Sequence, residues 1–214
     1  MFQIFGDTHK LIASNIYDNI RETYNIDLDK KKLLWGSVAP DILPQLKLQR
    51  HYKDESLDFV VNEITKLIFL GRYMDLESGI EIISKKYISK KIGIISHFLS
   101  DFLCLPHAER WTFTKNMFKH LSYESKLNDY VTKHDFKENV ININDIDIFQ
   151  DKKINLKKLV KIYIENVIEE YSIKKGFEND LDFSLSLNLK ISYFIIDTIN
   201  VYNEAMKREF AFEF

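Results

Sequence analysis

Three prolines and six glycines in 214 residues leave too few chain reversals for a many-stranded protein. The apolar residues between them recur instead every three or four positions, the period of one helix face. In "THKLIASNIYDNIRETY", Leu11, Ile12, Ile16, Ile20 and Tyr24 share a side, with Thr8 as the expected N-cap. "SLDFVVNEITKLIFLGRY" repeats the pattern behind Ser56, read as its cap. "LESGIEIISKKYI" and "KKIGIISHFLSDFLC" follow, the second stopped by Pro106. "HLSYESKLNDYVTKH" and "LKKLVKIYIENVIEEYSI" are amphipathic, and the last long helix is expected over roughly 183–209. The polar, β-branched interval 138–155, "ENVININDIDIFQDKKIN", reads either as a short strand or as an ordered loop. No repeat and no Pro- or Ser-rich linker divides the chain. The expectation is one all-α helical bundle over 1–214.

A net charge of -2 offers no electrostatic case for a polyanionic partner, so nucleic acid is not favoured. The N-terminal "MFQIFGDTHK" lacks the basic start, apolar core and cleavage site of a secretory signal. No window has the roughly 18 uninterrupted apolar residues of a membrane span. The single Cys104 precludes an internal disulfide, fits a reducing compartment, and is expected to fill core space. A cytoplasmic protein with at most peripheral membrane contact is the expectation.

The segment "SHFLSDFLCLPH" puts His97, Asp101 and His107 into an otherwise oily run. On a helix, positions four apart share a face, so His97 and Asp101 point at one place. His120 and Glu124 in "HLSYE" repeat the arrangement. Imidazole nitrogen and carboxylate oxygen are natural Zn²⁺ ligands. A lone H-x3-D is a weak signal. The run H-x3-D-x5-H-x12-H-x3-E is stronger: its chance occurrence at fixed spacing is on the order of one in 10⁴ for this composition, and freedom in the gaps raises that about ten- to a hundredfold. Asp41 and His51 bracket the loop "DILPQLKLQRH", and His9 opens the first helix, so five of the six histidines join the pattern. His134 lies outside it and is read as a solvated helix-end residue. Trp35 is read as packing, Gly36 as serving a turn, and "DKKINLKK" and "DLDKKKLL" as solvated faces.

"THKLIA", "WGSVAPD", His51, "SHFLSDFLCLPHA" and "HLSYE" together resemble the zinc-dependent phospholipase C family, bacterial all-helical enzymes related in fold to P1/S1-type nucleases. The resemblance covers roughly the first 125 residues, with the C-terminal part matching only as generic helix. It implies two to three Zn²⁺ ions. Asp41, His51, His97 and Asp101 would hold one; His107, His120 and Glu124 a second; His9 a third, with Asp101 bridging. In family members an N-terminal Trp completes the third site, which leaves the Met1 amine, Asp7 or water for that place here. The resemblance also implies the catalytic role of Asp41, which would orient or deprotonate water. Choline-preferring members carry tyrosine directly after that aspartate, where this chain has Ile42.

The implied reaction is phosphodiester hydrolysis, with a phospholipid head group as the leading substrate. A P1-like nuclease or phosphomonoesterase, and a non-catalytic zinc-binding member, stand as alternatives.

Overall fold

The structure, a computed structural model, describes residues 6–71, 82–146 and 155–211, with side chains throughout except at 82–83, 113–115 and 203–211. The described residues are mostly helical, with no strand among them. α1 (Gly6–Tyr24) is followed by three short helices, α2 (Lys30–Gly36), α3 (Ala39–Ile42) and α4 (Pro44–Lys47). Long helices α5 (Lys53–Gly71) and α6 (Ile82–Phe102) precede the single turn α7 (Leu105–Ala108). α8 (Phe113–Val131), α9 (Leu156–Ser172) and α10 (Phe177–Ala211) complete the order.

Local chemistry sets most of these ends. Asn25, at φ 53°, takes the left-handed conformation that closes α1. Asp29 caps α2 by accepting from Lys32 N at 2.9 Å, and Asn155 caps α9 through Lys158 N at 2.8 Å. Pro106 sits in the first turn of α7, where its missing N–H costs nothing. Two expected caps are corrected. α1 begins two residues before Thr8, whose amide and hydroxyl instead donate to Asn128 Oδ1 at 3.1 and 3.2 Å. α5 begins three residues before Ser56, whose hydroxyl reaches back to Arg50 O. The interval after α8 is irregular through residue 146, without a strand; 147–154 lie outside the described residues, as do 76–81 of "LESGIEIISKKYI".

The core is one large cluster drawn from α1, α2, α5, α6, α9 and α10. α6 lies at its centre: Phe98, Leu99 and Phe102 are essentially fully buried, each contributing about 1.5–3 kcal/mol by leaving water. α10 is buried all round from Asp180 to Leu189. Its stretch "DLDFSLSLNL" alternates like a strand, yet Ser184, Ser186 and Asn188 are small enough to fill the second helix face. Asn188 donates to Ser100 Oγ at 3.1 Å, tying α10 to α6, and to Ser184 O at 2.9 Å within α10. Cys104 packs with Leu127, Val131 and Leu181 in a satellite cluster, as expected of a space-filling thiol.

One helix contact positions the site. Gly36 and Gly93 let the backbones of α2 and α6 touch: a Cβ on Gly36 would lie 3.1 Å from Gly93 Cα and overlap Lys90 O. Gly36 therefore serves close approach, not a turn as the sequence suggested. Ser37, the next residue, thereby reaches α6 with its carbonyl. Gly93→Ala puts a Cβ 2.8 Å from Ser37 N and into Leu33 O. Alanine gains about 1 kcal/mol of helix propensity, but forcing apart two backbones costs about 1–3 kcal/mol with no flexible side chain to yield. We expect urea unfolding to show net destabilisation in Gly93→Ala; an unchanged or raised midpoint contradicts the close-approach account.

Candidate metal centre

Eight side chains from five helices and one loop meet at one end of α6. α1 supplies His9, α3 Asp41, the loop before α5 His51, α6 both His97 and Asp101, α7 His107, and α8 His120 and Glu124. Asp101, 4% exposed, is the hub. Its Oδ2 lies 2.7 Å from His51 Nδ1 and 3.2 Å from His97 Nε2. Its Oδ1 lies 3.3 Å from His9 Nε2 and 3.7 Å from His107 Nε2. Four imidazoles thus surround one carboxylate. Glu124 Oε1 performs the same office on a smaller scale, 3.2 Å from His107 Nε2 and 2.7 Å from His120 Nε2.

Three groups are close enough to share a metal ion: His9, His97 and Asp101; Asp41, His51 and His97; and His107, His120 and Glu124. All eight residues expected from the sequence are brought together. The grouping refines the expectation, because His97 borders two groups and Asp101 touches His107 as well as His9. Asp7 is turned instead toward Lys10 at 3.4 Å, and Met1 lies outside the described residues.

The hydrogen bonding argues for a cation at this place. His97 Nδ1 lies 2.9 Å from Ser37 O, and His120 Nδ1 lies 2.8 Å from Trp111 O. Carbonyls only accept, so each Nδ1 carries the proton and donates. In a neutral ring the Nε2 lone pair then faces oxygen: Asp101 for His97, Glu124 for His120. Lone pairs turned at one another need positive charge between them, either a second ring proton, which the upward shifts of His97 and His120 favour, or a bound cation. Even at 2.7 Å from His51, Asp101 Oδ2 makes no hydrogen bond of acceptable geometry. Edges of a tetrahedron of ligands about 2.1 Å from zinc are about 3.4 Å long. His97 Nε2 to His51 Nδ1 is 3.2 Å and to Asp41 Oδ1 is 3.6 Å, and His51 Nδ1 to Asp41 Oδ1 is 3.8 Å. These residues fit a divalent cation. The Nδ1 atoms of His9 and His107 are buried without a hydrogen-bond partner, so those rings lack the orientation that a carbonyl gives His97 and His120.

Electrostatics agrees. Burial pushes the Asp101 carboxyl up, yet the charges of His107, His97 and His9 hold it well below the usual carboxylate range. Burial likewise opposes ionisation of Glu124, while hydrogen bonds from His107 and His120 bring it down to about 2. His97 is pulled down by burial but driven up overall by Asp101. His120 follows the same balance, with Glu124 as the opposing partner. Both carboxylates thus depend on positive charge beside them, which protonated imidazole or a bound cation can supply.

The supports of these rings were invisible in the sequence. A carbonyl carries no residue signature, so Ser37 and Trp111 could not be nominated. Trp111 is itself held by its N–H to Pro106 O at 2.8 Å, after Arg110 reverses the chain at φ 50°. His134 is corrected. It is not solvated: its Nε2 lies 2.6 Å from the buried Asp182 Oδ1, and the pair packs outside the cluster. Trp35, expected as packing, is instead 39% exposed.

The zinc dependent phospholipase C family matches residues 8–177, running past the "HLSYE" segment and through α9. No curated protein and no solved structure matches the chain. A metal that binds only the folded protein raises its stability. Chelation should therefore lower the thermal midpoint, and added Zn²⁺ should restore it. In Asp101→Ala the restoration should be lost; a wild-type midpoint indifferent to both treatments counts against a metal centre here.

Proposed function

Because the chain belongs to the zinc-dependent phospholipase C family, we propose that it hydrolyses a phosphodiester, the head-group linkage of a phospholipid, at this centre. The observation that carries the reading is the crowding of four imidazoles on buried Asp101, with the lone pairs of His97 and His120 fixed by the carbonyls of Ser37 and Trp111. In this reading Asp41, His51, His97 and Asp101 would hold one Zn²⁺, His107, His120 and Glu124 a second, and His9 with Asp101 a third. When bound, such ions acidify water and neutralise charge growing on phosphoryl oxygens.

Asp41 has its own task. Its side chain is 43% exposed, whereas Asp101 beside it is nearly sealed. It is thus the carboxylate of its group that meets solvent. We assign it to orient the attacking water and accept its proton. The water oxygen forms the new bond to phosphorus, the bond to the alcohol oxygen breaks, and that oxygen takes a proton as diacylglycerol leaves. Asp101 and Glu124 hold the imidazoles, and Asp101 is buried away from bulk water.

The surroundings favour a lipid. Ile42 follows Asp41, Leu48 precedes His51 by three residues, and Phe118 precedes His120 by two. All three are exposed, Leu48 and Phe118 more than 80%. Exposed apolar side chains so close in sequence to the ligands suit insertion among acyl chains, beside Lys47, Arg50 and Lys119 for anionic head groups. No helix among the described residues is long and apolar enough to cross a membrane, so contact would be peripheral. One observation favours nucleic acid instead. The Tyr52 ring lies 6.0 Å from that of His107 and carries the Arg110 guanidinium 5.0 Å from its centroid, a small stacking platform with a cation.

Parallel assays separate these readings. A chromogenic phosphocholine diester should be hydrolysed in a chelator-sensitive way. Activity confined to single-stranded DNA or RNA would establish the nuclease reading, and bound zinc with neither activity the non-catalytic one. Asp41→Asn should lower kcat by about 10²-fold or more while metal content persists; near-normal turnover removes Asp41 from its role. Leu48→Ser with Phe118→Ser should depress turnover on phospholipid vesicles far more than on the soluble diester. Equal losses on both substrates would argue against a lipid-facing rim.

A further inference from the structure

Asp180 lies just beyond the family match and carries no expected function, yet it is 1% exposed and accepts four hydrogen bonds. Its Oδ1 receives Tyr171 OH at 2.7 Å and Gly176 N at 3.3 Å. Its Oδ2 receives Leu105 N at 3.1 Å and Tyr123 OH at 2.7 Å. The second pair matters most. Leu105 opens the one-turn helix α7, two residues before His107. Tyr123 immediately precedes Glu124 on α8. A single carboxylate oxygen therefore holds both segments that deliver the His107, His120 and Glu124 group.

We propose that Asp180 is a positioning residue for that metal group, bracing α7 and α8 from α10 so that His107 and Glu124 meet. The inference rests on the metal-centre reading above and extends it to a part of the chain that resembled only generic helix. The neighbouring contacts close the arrangement. The Tyr123 ring packs edge-on against Trp111 at 5.7 Å, and Trp111 O orients His120. On its other side Tyr123 meets Phe177 at 4.7 Å, beside the start of α10. All three members of the group are thus referred to one buried anchor. α7 needs such an anchor: a helix of four residues has too few internal bonds to hold its own position. Each of the other two groups contains His97, which sits on the long, packed helix α6.

The arrangement predicts an asymmetry between the two oxygens. Removing the Oδ2 contacts should disturb metal binding; removing the Tyr171 contact to Oδ1 should disturb only stability. Cobalt(II) replaces zinc in such sites with visible absorption bands, and Glu124→Ala identifies which step of a cobalt titration belongs to the braced group. In Asp180→Asn and in Tyr123→Phe that step should weaken by about 10- to 100-fold, the usual consequence of losing a ligand's outer support. The remaining steps should hold their affinity. Tyr171→Phe should lower the urea midpoint yet leave the cobalt titration unchanged. If Asp180→Asn does not fold, Tyr123→Phe against Tyr171→Phe decides alone. Equal weakening of every step, weakening in Tyr171→Phe, or no weakening in either Oδ2 variant overturns the brace. Wild-type protein that binds no cobalt overturns the metal-centre reading, and the brace with it.

Discussion

Burying a carboxylate inside a helical core is tolerable only with compensating charge or hydrogen bonds, and Asp101 is the place where this chain meets that demand. Isolated burial of such an ion would cost several kcal/mol even after relaxation. Here His9, His51, His97 and His107 approach it from four different elements. The consequences run outward. α1, α6, α7 and the loop before α5 must converge on one point, so the charge constrains how the bundle is assembled. The groups most expensive to bury are also those that would hold the metal, and a fold that placed them wrongly would lose both.

Helix packing supplies the precision that the ligands need. Gly36 and Gly93 bring two backbones into contact and put Ser37 O against His97. That bond selects the ring nitrogen that faces Asp101. A second carbonyl, Trp111 O, does the same for His120. The two best-oriented imidazoles are thus set by main-chain atoms, which do not change rotamer. Deep in the core, α6 and α10 are locked by Asn188, Ser96 and Ser100, so the helix that carries His97 and Asp101 has little freedom to turn.

The centre is graded from inside to outside. Asp101 and His97 are sealed, Glu124 is partly open, and Asp41 faces solvent. The gradient leaves Asp41 as the carboxylate of the cluster most open to solvent. Ile42, Leu48 and Phe118, in the same stretches of chain as Asp41, His51 and His120, are exposed as well. The outer supports follow a different logic, because α7 and α8 are anchored from α10 through Asp180.

Much of this was legible in the amino-acid order. Scarce glycine and proline with a three-to-four-residue apolar period dictate helices, since each position's preference is local. His97 with Asp101 and His120 with Glu124 are four apart, so helix geometry alone aligns them. What spacing could not convey was direction across space. Thr8 and Ser56 looked like caps because their types suit that role, but Asn128 and Arg50 O claimed their hydroxyls. His134 looked solvated until Asp182, 48 residues away, was brought against it. Gly36 read as a turn because its partner, Gly93, is invisible at that distance in sequence. Ser37 O, Trp111 O and Asp180 acquire their roles only when separate helices pack. Side-chain chemistry and short-range periodicity reside in the sequence, whereas the orientation of each ligand depends on contacts between elements, and those exist only in the folded chain.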